Sequence, residues 1–236
     1  MVTATWTIPG ACVVAATYGV VAAFYLRLAL HALRWLEAAR RSPTARPRGI
    51  AATARAFVGA TVDIVLLRKL LLVNPALWCG EWVFHGSLLL VVLRHLRYFL
   101  NPVPAWVVWA QTPGWIAGFL LPAALGYILV VRLLTGQEKF SSPVNLLMLL
   151  DVLGIAVTGL LMSTWYPVDL VAVKLFALGV VTFSPSAPPL EILFTIHLGL
   201  VLALILYVPS HVVTAPFTLL DARRRELDLR RVLHDA

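Results

Sequence analysis

Residues 79–100 read CGEWVFHGSLLLVVLRHLRYFL. As a helix rising ~1.5 Å per residue, this stretch is ~33 Å long, enough to cross a hydrocarbon core of ~30 Å. Its charged residues, Glu81, Arg94 and Arg97, stand toward the ends, and the middle is apolar. It reads as a membrane-spanning helix with two histidines, His85 and His95, set inside it.

The rest of the chain reads the same way. Of its 236 residues, 61% are hydrophobic and only 13% charged, with a mean hydropathy of +0.89. Soluble domains sit near half apolar and a quarter charged, and a globule with so few charges could not cover its surface. The composition excludes a cytosolic enzyme, a nucleic-acid-binding domain and a disordered chain. Further apolar stretches at about 9–31, 113–134, 143–163 and 190–210 each supply the ~20 residues that a span requires. Pro9, Pro113 and Pro143 stand at the opening turn, where a proline costs no helical hydrogen bond. Two other stretches carry charges among their apolar positions: 54–73, with Arg55, Asp63, Arg68 and Lys69, and 168–183, with Asp169 and Lys174. These are expected as helices lying in the membrane interface. The expected fold is an all-α integral membrane protein, one domain over 1–236 with five transmembrane helices and a basic tail over 217–236.

The net charge of +8 comes from 19 Lys and Arg against 11 Asp and Glu. In a membrane chain such an excess reports orientation, because basic residues stay on the cytoplasmic side. They collect between Arg34 and Lys69, at Arg132 and Lys139, and at Arg223, Arg224, Arg225, Arg230 and Arg231. Residues 1–8 and 101–112 hold none, and 164–189 holds only Lys174. Five spans with the amino terminus outside and the carboxyl terminus cytoplasmic satisfy every segment. No basic region precedes the first apolar run, so no cleavable signal is expected. Cys12 and Cys79 fall near opposite ends of their spans, too far apart for a disulfide, and two cysteines are too few for an iron–sulfur cluster.

Six histidines occur. His31 and His234 lie at a span end and in the tail. The other four, His85, His95, His197 and His211, lie within or at the ends of two spans only, and ionisable groups at membrane depth are costly and usually functional. The second and fifth spans run in opposite directions, so the histidines match by depth: His95 with His197 toward the outside, His85 with His211 toward the inside. Ten residues set the first pair ~15 Å apart along its helix and fourteen set the second pair ~21 Å apart. Tilt, or a bend at Pro209, absorbs the difference. Facing imidazoles at two depths suit six-coordinate haem irons, each held by one neutral imidazole from either side. Zinc or di-iron sites would add cysteine or carboxylate ligands, and the nearby acids Glu81 and Asp151 form no i, i+3 motif with a histidine. Arg94 and Arg97 flank His95 where guanidinium groups would pair with haem propionates, or would snorkel to the interface.

These residues resemble a known family: the cytochrome b gamma subunit of respiratory nitrate reductase and its relatives, including the membrane subunits of heterodisulfide reductase and of the sulfite-reduction electron-transfer complex. The likeness is carried by Phe84-His85 followed after nine residues by His95, and by Lys174-Leu175 ahead of Val180–Phe183. It is also carried by Ile196-His197-Leu198, leading through Tyr207-Val208-Pro209 to His211 and Pro216. It covers the chain from about residue 79 onward. The stretch from Pro209 to His211 is shorter than the family's usual spacing. The segment 50–73 looks like that of the heterodisulfide and sulfite-complex relatives.

The resemblance implies two b haems, the outer on His95 and His197 and the inner on His85 and His211. It further implies quinol oxidation near the outer haem, and electron delivery to a cytoplasmic iron–sulfur subunit and a catalytic subunit of molybdenum or CCG type. The loop 101–112 lacks the lysine expected for a quinone contact, which leaves Arg94 and Lys174 as quinone candidates. The expected function is therefore a membrane-anchoring di-haem cytochrome b in the cytoplasmic membrane, working with a quinone or quinol and with no nucleic acid. The reading from another class is a non-catalytic anchor or small transporter subunit with structural or proton-relay histidines.

Overall fold

A computed structural model of the protein describes residues 7–41, 50–135, 143–211 and 222. Among them every regular element is a helix and there is no strand. In chain order the α-helices are α1 Ile8–Arg41, α2 Ile50–Val65, α3 Arg68–Val73, α4 Pro75–His95, α5 Ala105–Trp109, α6 Gln111–Leu134, α7 Pro143–Thr164, α8 Leu170–Val181 and α9 Ile192–His211, with a 3₁₀ turn at Leu96–Tyr98 after α4. Lys139, Arg46, Arg48, Pro216, His234 and the tail arginines lie outside the described residues, as do the side chains of Arg40, Arg41, Arg55 and His211.

Among the described residues, five helices are long and apolar enough to cross a membrane: Ile8–Glu37, Pro75–Tyr98, Gln111–Leu134, Pro143–Thr164 and Ile192–Pro209. The first outruns its apolar stretch, because the Ala, Leu, Arg and Glu residues beyond His31 favour helix after hydropathy falls. The second opens at Pro75, a helix-starting position for proline. Large apolar side chains on these helices lie open, among them Leu89 and Val92 on α4 and Ile116 and Leu120 on α6. Such surface suits acyl chains rather than water. The segment expected over 54–73 is two helices, because Leu67 takes the left-handed φ of 47° and ends the first. The short helix after the fourth span is α8, capped by Asp169, whose Oδ1 accepts from the backbone N–H groups of Val171 (2.8 Å) and Ala172 (3.2 Å).

The chain forms two compact units. One comprises Met1–Val21 and Ala76–Leu204. Within it glycines leave α4 and α6 room to meet. A Cβ at Gly114 would meet Arg94 Cβ at 2.7 Å and the Leu90 carbonyl oxygen at 2.8 Å, and one at Gly80 would meet the Tyr127 ring at 2.7 Å. Tyr127 donates its hydroxyl to the Ala76 carbonyl (3.1 Å). α6 also packs along α7, and α8 packs over the 3₁₀ turn. Val14, Phe176 and Phe194 make a small core joining α1, α8 and α9, and Tyr18 donates to the Val180 carbonyl (3.2 Å). In the other unit, Ala22–Pro75 with Ile205–Ala236, Arg27 donates to the Leu206 carbonyl (2.8 Å).

Candidate functional site

The site is built from α4, α7 and α9 of the first unit. His95 is the last residue of α4, and its Nδ1 lies 2.7 Å from the Val91 carbonyl oxygen one turn earlier. A carbonyl only accepts, so Nδ1 carries a proton, and in the neutral ring Nε2 then keeps its lone pair. His85 repeats the pattern, with Nδ1 2.7 Å from the Glu81 carbonyl oxygen. Each histidine of α4 is thus oriented by its own helix.

His197 on α9 is oriented by α7. Its Nδ1 lies 2.8 Å from Thr158 Oγ1. The single hydroxyl proton of Thr158 points at the carbonyls of Gly154 (2.7 Å) and Ile155 (3.1 Å), so the hydroxyl accepts from Nδ1–H, and Nε2 again holds the free lone pair. Gly159 leaves room for the ring: a Cβ there would stand 3.1 Å from His197 Cε1. His197 lies within electrostatic reach of His95. These are the two side chains expected to pair at the outer level. The pair expected at the inner level, His85 and His211, lies outside what can be described, since the His211 side chain is not among the described residues.

Arg97 folds back onto the protein. Its Nη1 donates to Gln111 Oε1 (3.0 Å), its Nη2 donates to the Tyr98 hydroxyl, and its guanidinium carbon lies 4.6 Å from the Tyr98 ring centre. Gln111 is fixed in turn by donating to the carbonyls of Val107 (2.9 Å) and Arg94 (3.3 Å). Arg97 Nε is buried with no partner among the described residues, a donor still open to an anionic group. Arg94 is half-buried against Gly114. Lys174 is half-buried on α8, the helix lying over Leu96–Tyr98. Of the nearby acids, Glu81 takes an ion pair of 2.9 Å from Arg132 Nη2. Asp151 is half-buried on α7. Cys12 and Cys79 are exposed free thiols.

Thr158, Gln111 and Tyr98 were not evident as site residues in the sequence. The available signal was faint: Thr158 is a lone hydroxyl in the apolar run VLGIAVTGLL, and Gln111 stands just before a span opened by Pro113.

Two neutral imidazoles, each with Nδ1 engaged and Nε2 available, are the donor set that a six-coordinate haem iron takes, and the bonded Nδ1–H fixes ring orientation and raises ligand basicity. Among the described residues no three His, Cys, Asp or Glu side chains gather as a metal site; a haem iron asks only two protein ligands. The residues present fit a b haem.

No family model matches the chain. Two curated relatives are similar to part of it. An "Hdr-like menaquinol oxidoreductase cytochrome b-like subunit" of Archaeoglobus profundus is 39% identical over 149 residues, covering 56% of this chain and 44% of the relative. A protein of the same name from Archaeoglobus fulgidus is 32% identical over 149 residues, covering 56% and 45%. The chain spans less than half the length of these relatives. Both relatives carry an "Hdr-like" cytochrome b-like name, in line with the resemblance read from the sequence. With five apolar helices of spanning length, the chain is a multi-pass membrane protein.

Proposed function

We propose that this chain is the membrane cytochrome b subunit of a quinone-linked oxidoreductase complex, joining a quinol at the outer face to an iron–sulfur subunit at the cytoplasmic face. The observation that carries this reading is that His95 and His197, within electrostatic reach, each have an acceptor at Nδ1 that leaves Nε2 for iron. Haem b held by His95 and His197, and a second by His85 and His211, would supply reversible one-electron chemistry at two depths.

The chain's own residues do the rest. Arg97, held by Gln111 and Tyr98, offers its open Nε to a propionate, with Arg94 beside it. Arg94 and Lys174 are the candidate quinone contacts, on α4 and on the helix packed over its end. With the amino terminus outside, this end faces outward, so a quinol oxidised there releases its protons outward while electrons travel inward. That makes the step electrogenic. The basic residues between Arg34 and Lys69 and in the tail hold the iron–sulfur partner, which serves a catalytic subunit. Menaquinol in the relatives' names supports the quinol assignment.

Pyridine haemochrome spectra of the purified chain test the reading. The expected result is two haems per chain, with His197→Ala losing the outer one and keeping the inner. Absence of any α-band would instead support the anchor or transporter reading, and survival of both haems in His197→Ala would overturn the ligand pairing.

A further inference from the structure

The two histidines of the site are oriented by different means. On α4 the acceptor for Nδ1–H is the helix's own backbone, one turn away, so any helix there provides it. On α9 the acceptors for His197 belong to another helix: the Thr158 side chain at 2.8 Å, thirty-nine residues earlier in sequence, with the Ile155 carbonyl of the same turn also in reach. Around His197, α7 presents Thr158 to Nδ1 and Gly159 to Cε1, and a Cβ at Gly154, one turn back, would stand 3.1 Å from Leu200 Cδ1. The hydroxyl is polarised in a definite sense, since its proton goes to the Gly154 carbonyl and its lone pair faces the ring.

We propose that Thr158 is a positioning residue for the outer haem: it fixes His197 in the Nδ1–H tautomer and aims Nε2 away from α7, and it does so for this haem alone. The proposal rests on the haem reading of His95 and His197. Without the hydroxyl, the Nδ1–H of His197 loses its 2.8 Å side-chain acceptor and is left with the Ile155 carbonyl alone, so the ring is freer to rotate or to place its proton on Nε2, where it cannot bind iron. Losing such an outer partner typically weakens metal affinity by about 10–100-fold. Where haem is retained, the ligand is a poorer donor, so the ferric form is less stabilised and the midpoint potential rises.

The experiment compares Thr158→Val, Thr158→Ala and Thr158→Ser with the wild-type chain, purified with whatever subunits accompany it. The readouts are haem per chain, potentiometric titration, and the low-spin EPR signals of the two haems. Valine nearly matches threonine in volume and alanine nearly matches serine, so a packing role would order the variants by size. A hydroxyl role pairs serine with the wild type, and valine with alanine. The expected result is this second order: in Val and Ala the outer signal is lost or its potential raised, serine restores it, and the inner signal stays put. Wild-type outer signals in both Val and Ala, with two haems per chain, would overturn the assignment of Thr158 while leaving the haem reading intact. An order by size, or equal damage to both haems, would overturn it too. A wild-type chain with no α-band would overturn the haem reading itself, and the Thr158 proposal with it.

Discussion

Glu81 of α4 and Arg132 of α6 form an ion pair of 2.9 Å, with side chains 14% and 24% exposed. The same carboxylate lies 3.8 Å from His85 Nδ1. The pair therefore ties together two spans beside one candidate ligand.

Removing one partner strands the other. Arg132→Leu is expected to destabilise the protein by about 1–3 kcal/mol, the cost of leaving a poorly solvated charge unpaired. Glu81→Leu combined with Arg132→Leu should recover most of that loss. Unfolding in detergent, run as a double-mutant cycle, checks both; a double variant as unstable as the single would contradict the pairing.

Two glycines of α6 make a matched contrast. Gly114→Ala forces a methyl to within 2.8 Å of the Leu90 carbonyl oxygen, whereas a Cβ at Gly118 meets nothing within 4 Å. Overpacking typically costs about 1–3 kcal/mol, so Gly114→Ala should lower the melting temperature and loosen the His95 end of α4. Gly118→Ala should be neutral or slightly stabilising, since alanine is the better helix former. Thermal denaturation of the two variants side by side decides it.

Arg97→Gln keeps a polar group near Gln111 but removes the positive charge and the open Nε donor. If that donor serves a propionate, the outer haem's midpoint potential falls, because a cation near the haem favours the reduced, more negative state. Redox titration of the variant measures the shift, and an unmoved potential would remove Arg97 from the site.

Asp169→Ala deletes the cap of α8 and its bonds to the N–H groups of Val171 and Ala172. The expected cost is about 1 kcal/mol, felt locally as faster amide exchange over the first turn of α8. Exchange unchanged there, or spread equally over α6 and α7, would argue against the cap.

Much of the architecture is one-dimensional information. Length and apolarity decide whether a segment crosses a bilayer, and both are properties of a stretch such as 143–163 taken by itself. Helical order, the five spans and the confinement of four histidines to two of them were therefore legible before any contact was known. The ends of the spans were less so. α1 runs on to Arg41 because helix propensity outlasts hydropathy, and the break at Leu67 depends on a single backbone angle.

What remained for the tertiary structure was which side chains meet. A span apolar on all its faces, like α9 or α7, has no polar side to reveal which way it turns, and lipid supplies no hydrophobic force to choose one. Rotation and crossing are settled instead by close packing at residues such as Gly114 and Gly159. Those contacts aim Thr158 at His197, Gln111 at Arg97 and Arg132 at Glu81, pairs separated by 39, 14 and 51 residues. The sequence by itself determined which groups enter the membrane and at what depth; only the packing of the helices decided which of them face one another.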